Sequence, residues 1–220
     1  VHAYDAIVLL SGGLDSAANL ALAHARGWKC AALTVNYGQQ AWESERRAAH
    51  ALARYYGIGV RELDLRFVGE LGGSALTDAS MKLPEPARDE LDQMPVISQT
   101  ANAVWVPNRN GVLINLACAW AEAASAPRVL IGFNREEAAT FPDNSRAFME
   151  AMNRTLEYST RGKVRVESLI VDQSKPETVQ RLRALGKPFP FDQVWSCYRS
   201  GERQCGRCES CQRFLRAMAA

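Results

Sequence analysis

The sequence has no apolar run approaching the roughly 20 residues that span a bilayer, so no transmembrane helix is expected. Residues 1–5, VHAYD, are polar and the first apolar run is very short, so no secretory leader is expected either. A large excess of charge is also missing: 26 Lys and Arg against 24 Asp and Glu leave a net +2. That balance argues against a dedicated nucleic-acid scaffold, although it is compatible with a local basic patch. Neither an internal repeat nor a low-complexity segment is present. The expectation is a soluble, cytoplasmic protein, and 220 residues suffice for one α/β domain with a real core plus a small appendage.

What is present begins with residues 9–16, LLSGGLDS. The apolar run 6–10 predicts a buried strand. Residues 16–26 carry Ala and Leu at helical spacing, with Asp15 or Ser16 placed to cap the helix and Gly27 to stop it. A strand, a glycine turn and a helix N-terminus in that order form an anion site, because free backbone N–H groups and the positive end of the helix dipole converge there. The anion expected is a phosphate. The chain has no G-x-x-x-x-G-K-[ST] and no G-x-G-x-x-G. Its S-G-G-x-D-S instead resembles the pyrophosphate loop of the ATP-splitting adenylylating enzymes.

Further along, strand patterns at 30–36, 60–65, 128–132 and 164–171 alternate with helical patterns at 42–56, 111–125, 146–158 and 176–185. The polar, Pro-containing stretch 77–100 breaks this rhythm and reads as a loop or lid. Such alternation predicts an α/β fold with a doubly wound, mainly parallel, Rossmann-like sheet. Ligands then bind at the carboxyl ends of the strands. The segments SGGLDS, NYGQQ, GFNREEAATFPDNS and DQSK should therefore line one cleft, with Tyr37, Gln39, Asn134 and Asp143 as candidate substrate contacts. The VPNRN segment opens the central helix and offers Arg109 as a charge partner for a phosphate or carboxylate. A surface salt bridge is the alternative use of Arg109.

Six cysteines are unevenly placed. Cys30 and Cys118 sit in strand-like and helix-like apolar runs and read as small core residues. Cys197, Cys205, Cys208 and Cys211 form C-x7-C-x2-C-x2-C, a spacing that suits tetrahedral Zn²⁺, with Gly201 and Gly206 in the turns. An iron–sulfur cluster is the competing reading of the same spacing. With four thiolates no position is left open, so the metal should be structural, one per chain. The arginines around it are interspersed with Glu202 and Glu209 and read as a solvated face. The expected division is residues 1–190 as an α/β domain and 191–220 as a four-cysteine tail.

The combination of SGGLDS with VPNRN, GFN followed by FPD, LGKPF and WSCY followed by CGRCESC closely resembles the 7-cyano-7-deazaguanine synthase family of queuosine and archaeosine biosynthesis, over residues 6–214. The resemblance implies an adenine nucleotide α-hydrolase-like, ATP pyrophosphatase-type domain and a two-stage reaction on 7-carboxy-7-deazaguanine. ATP first activates the carboxylate as an acyl-adenylate, and ammonia displaces AMP to give an amide. A second ATP activates the amide oxygen, and loss of AMP leaves the nitrile. The pyrophosphate cradle then falls on Leu10, Ser11, Gly12, Gly13, Leu14, Asp15 and Ser16, with Asp15 an indirect partner of Mg²⁺. Lys175 matches the lysine that opens the late helix in related enzymes and would neutralise phosphate. With no glutaminase domain, free ammonia or a partner must supply nitrogen. Direct nucleic-acid binding is not expected, and a homodimer accords with the family without being required by any apolar stripe.

Two departures bear on the cleft. Many family members have His after Y-G-Q, where this chain has Gln40, and P-D-C-R where it has Pro142-Asp143-Asn144-Ser145. They keep open a related enzyme that stops at the amide or transfers the acyl group to an amine on DNA or protein. A tRNA-modifying adenylylase and a catalytically silent nucleotide-binding module are the remaining alternatives. The first would require an RNA-binding extension and the second a damaged phosphate loop, and neither feature is evident.

Overall fold

The apolar run at the start of the chain forms β1 (Ala6–Leu9) in the middle of a five-stranded sheet, in a computed structural model that describes residues 3–220. Strands β2 (Cys30–Asn36), β3 (Val60–Asp64), β4 (Arg128–Leu130) and β5 (Arg165–Glu167) complete it in the order β3-β2-β1-β4-β5, every pairing parallel. Helices α1 (Leu14–Ala25), α2 (Trp42–Tyr56) and α8 (Lys175–Arg183) belong to one apolar layer, which includes Leu20, Leu52 and Leu182. Helices α5 (Arg109–Ala123) and α7 (Arg146–Ser159) belong to the other, which includes Ile114, Ala117 and Leu156. The architecture is the doubly wound α/β fold that the alternation predicts, and reversal of strand order beside β1 creates the crevice in which such folds bind ligands.

Several boundaries differ from expectation for local reasons. Helix α1 begins at Leu14 with Gly13 at its N-cap, and neither Asp15 nor Ser16 caps it. The Ser16 hydroxyl instead donates to the Gly13 carbonyl at 3.0 Å and accepts from the Ser11 N–H at 3.2 Å. Strand β5 stops at Glu167 because the chain beyond it is drawn off the ladder: the Ser168 hydroxyl donates to the Phe133 carbonyl at 2.6 Å, and the Leu169 N–H donates to Asn19 Oδ1 at 2.7 Å. Strand β4 also stops early. A Cβ at Gly132 would lie 3.1 Å from the Ser16 nitrogen, so the strand end passes directly beside the start of α1.

Four helices were not anticipated, the last of them in the cysteine-rich tail. Short α3 (Phe67–Glu70) and α4 (Met94–Val104) lie in or near the stretch read as a loop, and α6 (Arg135–Ala138) is a single turn after β4, capped by Asn134. The 77–104 segment is anchored by buried Leu83, Leu91 and Val104. The cysteine-rich tail ends in α9 (Glu209–Ala219), whose Ala217 joins the core cluster of Val179 and Leu182. No helix among the described residues is long and apolar enough to cross a membrane.

Leu83 is 1% exposed within the cluster that includes Tyr37, Val104 and Val106, whereas Leu71 is 67% exposed. Leu83→Ala should lower unfolding stability by about 2–5 kcal/mol in urea titrations, while Leu71→Ala should stay within about 0.5 kcal/mol. Equal effects would show that the 77–104 segment is not part of the cooperative core.

Candidate active site

The loop after β1 is held open by glycine. Gly12 adopts φ +84°, and a Cβ there would lie 2.7 Å from Ala48 Cβ and 2.8 Å from the Glu45 carbonyl oxygen. The backbone of α2 therefore fills the space that any side chain would need. The carbonyl of Gly12 accepts a hydrogen bond from the Trp195 N–H at 2.9 Å, which ties the tail to the loop. With no side-chain cap at Gly13, the first-turn amides of α1 are left to serve an anion.

Asp15 projects from this first turn and accepts from the Lys175 ammonium through Oδ2. Lys175 opens α8, which is fixed by a capping box between Ser174 and Glu177 and by Pro176 in its first turn. Its ammonium also donates to Glu137 Oε1 at 2.7 Å, with the side chain 8% exposed. Burial disfavours the ammonium, but Asp15 and Glu137 outweigh it and raise the lysine above its ordinary value. Asp15 moves up to about 6, first because it is desolvated, against Lys175 and with Glu137. Its Oδ1 is buried without a hydrogen-bond partner. An orphaned carboxylate oxygen beside a helix N-terminus fits a divalent cation carried by phosphates.

A cavity of about 290 Å³ opens at the carboxyl ends of the strands. Ser11, Asp15 and Lys175 line one part, and Tyr37, Glu45 and Arg109 line another. The Arg109 guanidinium carbon lies 5.3 Å from the Tyr37 ring centroid, and Nη1 donates to the Tyr37 hydroxyl at 3.3 Å. Helix α5 is launched by Asn108 at φ 51°, which sets Arg109 at its first position. The tail contributes Trp195, Ser196 and Tyr198 to the wall.

The tail is organised around its cysteines. The four sulfurs lie within 4.8 Å of one another, and Cys205 Sγ is 3.9 Å from Cys211 Sγ. A zinc ion with four Zn–S bonds of about 2.3 Å would set the sulfurs roughly 3.8 Å apart. Main-chain N–H groups point at the sulfurs: Arg199 and Cys205 donate to Cys197 Sγ, each at 3.4 Å, and Cys208 donates to Cys205 Sγ at 3.4 Å. Gly206, at φ +70°, makes the turn between the ligands. The cluster can hold a metal ion, and its closed all-sulfur set suits zinc. Cys30 and Cys118 are buried in the core, where desolvation pushes their thiols up to about 11 and about 12.

Residues 5–220 match the family described as "Queuosine biosynthesis protein QueC". The chain belongs to the QueC family. It is 50% identical over 211 residues to the 7-cyano-7-deazaguanine synthase of Pelotomaculum thermopropionicum, covering 96% of this chain and 95% of that one. The corresponding protein of Desulforamulus reducens is 46% identical over 215 residues, covering 97% and 92%. Among solved structures, NMN synthetase from Francisella tularensis covers 93% of this chain and 71% of that chain, with a TM-score of 0.49 and 14% identity.

In this QueC chain the cavity brings together Leu10, Ser11, Gly13, Leu14, Asp15, Ser16, Tyr37, Gln39, Arg109 and Lys175. Gly12 lies behind the loop, packed on α2. Gln39 reaches the cavity with its amide already engaged: Oε1 accepts from the Tyr37 N–H at 2.9 Å, and Nε2 donates to the Val35 carbonyl and to Glu45 Oε2. Asn134 is fully buried, and its Oδ1 accepts from the Glu137 N–H at 2.9 Å. Asp143 stands outside the lining while its carbonyl accepts from Asn110 Nδ2 at 3.3 Å, and burial raises its carboxyl above the usual range. Sequence reasoning missed Glu45, Glu137, Trp195 and Tyr198. A signal was present for Glu137, which stands three residues after Asn134 within a segment already assigned to the cleft.

Glu45 is raised to about 7 from 4.5, chiefly by desolvation, with the Gln39 hydrogen bond and Arg109 opposing. The folded state then holds a proton that the unfolded state has released between these values, so this group's contribution to stability falls as pH rises through that window. Glu45→Gln removes the titration. The variant's melting temperature minus that of the wild type should grow from about pH 4.5 to about pH 7 and then level off; a constant difference would contradict the assignment. In a separate experiment, Cys208→Ser should cut bound zinc and lower the melting temperature, and undiminished zinc by elemental analysis would remove the cluster as its site.

Proposed function

We propose that this QueC chain converts 7-carboxy-7-deazaguanine and ammonia to 7-cyano-7-deazaguanine at the expense of two ATP. The reading is carried by one observation: the glycine loop, the uncapped N-terminus of α1 and the Asp15–Lys175 pair face the same cavity as Tyr37 and Arg109. In the first stage a substrate carboxylate oxygen attacks the α-phosphorus of ATP, and the bond to pyrophosphate breaks. Ammonia then adds to the acyl carbon and AMP leaves, giving the amide. In the second stage the amide oxygen attacks the α-phosphorus of a second ATP and pyrophosphate departs, after which loss of AMP and of the two amide protons yields the nitrile.

The residues divide this work by charge. The amides after Gly13 and the Lys175 ammonium stabilise the pyrophosphate as it departs, because donors fixed in advance need no reorganisation when charge develops. Arg109 pairs with a substrate or nucleotide anion at the far side of the cavity. Mg²⁺, when bound through Asp15, supplies further neutralisation of the phosphates. Zinc in the closed set of four cysteines is structural. The reaction places the enzyme among the ATP-dependent C–N ligases, with a small molecule rather than nucleic acid as substrate.

A second reading stops at the amide or passes the acyl group to another amine. It draws on Asn144, which lines the cavity at the position where the family pattern has Cys. Mass spectrometry of the product formed with 7-carboxy-7-deazaguanine, ATP, Mg²⁺ and ammonium, with AMP counted in the same tube, separates the two. Nitrile with two AMP is expected, amide with one AMP would favour the second reading, and stoichiometric ADP would overturn adenylylation. In the same assay Asp15→Asn should reduce turnover at least about a hundredfold with an unchanged circular dichroism spectrum, and near-normal turnover would remove the loop from the mechanism.

A further inference from the structure

Helix α9 carries Cys211 and, two residues later, Arg213, all three of whose guanidinium nitrogens are engaged. Nε donates to Glu209 Oε1, Nη1 to Glu136 Oε1 and Nη2 to the Leu91 carbonyl, each at 3.0 Å. Arg213 is 8% exposed, so this is a buried charge network and not a solvated pair. A second arginine of α9, Arg216, donates to the same Glu136 oxygen at 2.7 Å. The other oxygen of Glu136 accepts from the Lys175 backbone N–H at 3.3 Å. Its neighbour Glu137 holds the Lys175 ammonium at 2.7 Å.

The single turn of α6 thus grips Lys175 at its main chain through Glu136 and at its side chain through Glu137. It is itself gripped by α9. Charge explains why the grip matters. Asp15, Glu136 and Glu137 gather about one lysine, and an uncompensated Glu136 would draw that ammonium away from the phosphate loop and repel an incoming anion. Two arginines on Glu136 remove this competition, leaving the ammonium shared by Asp15 and Glu137 at the cavity wall.

The geometry points to Arg213 as a positioning residue that acts through Glu136 to fix Lys175 in the phosphate site, so that this buried arginine of the cysteine tail controls anion affinity without itself touching the anion. This rests on the reading of Lys175 as the cation that meets the phosphates of ATP. Arg213 does not line the cavity, so its effect on ATP passes through its neighbours, and dependence on Lys175 is what distinguishes the route through Glu136. A structural arginine would affect ATP binding whether or not Lys175 were present.

The test is a double-mutant cycle on Mg-ATP affinity, measured by titration calorimetry without the carboxylate substrate, with zinc content determined for every variant. Lys175→Met should weaken binding at least about tenfold and Arg213→Met about three- to tenfold, whereas the double variant should bind no more weakly than Lys175→Met alone. Glu136→Gln, remote from the cysteines, takes away the competing charge, so Arg213→Met should weaken binding far less in that background than in the wild type; an undiminished effect there, as zinc loss alone would give, overturns the relay. Equal weakening in both backgrounds, or none in the wild-type background, overturns the relay. Undiminished affinity in Lys175→Met overturns instead the phosphate role of Lys175, and the relay with it.

Discussion

Burying a lysine as an ammonium is costly unless acceptors, carboxylates above all, receive it. Lys175 opens α8 after the last strand, Asp15 follows the first strand and Glu137 follows the fourth, yet all three meet behind one cavity. Only a parallel sheet with β1 beside β4, and β5 beyond it, delivers the three strand ends to that point. The ion cluster therefore fixes the relative placement of α1, α6 and α8 as firmly as the apolar layers do. Its stoichiometry is also unfinished, with two carboxylates for one ammonium and an Asp15 oxygen lacking a partner. The protein thus keeps uncompensated carboxylate charge at the wall of the cavity.

The cysteine tail contributes more than a metal site. Arg199 pairs with Glu85, the Glu209 N–H donates to the Pro84 carbonyl and Arg216 pairs with Asp92, so the tail fastens the long segment between β3 and α5. Through Trp195, Ser196 and Tyr198 it also closes a wall of the cavity. The four-cysteine cluster is the centre around which this short, polar stretch is organised, and the stretch in turn contacts the loop after β1 and the 77–104 segment.

Most of the fold was legible in the sequence because its central strands, β1 and β2, are buried almost throughout and read as continuous apolar runs, and because strand and helix patterns alternate around them. The phosphate loop and the four cysteines were legible for a different reason: each depends on residues adjacent in the chain. Less legible were arrangements that depend on distant partners. Helix α4 is rich in β-branched and polar residues and is held by tertiary contacts of Thr100 and Val104. Gln39 lines the cavity as its segment suggested, but that it spends its amide on Glu45 follows from packing alone, as does the use of Asn134, which lies outside the lining, to cap α6. The Arg213–Glu136 network spans 77 residues of chain, and no local pattern announces it.

The bond from the Trp195 N–H to the Gly12 carbonyl joins nearly the first structural element of the chain to nearly the last. Synthesis on the ribosome runs from one to the other, so β1 and its glycine loop emerge long before the segment that completes them. The crevice therefore stays open-sided until residues 195–198 have been made and have docked against the loop. Closure of this wall is thus a late event, reached after the sheet that frames it has had time to form.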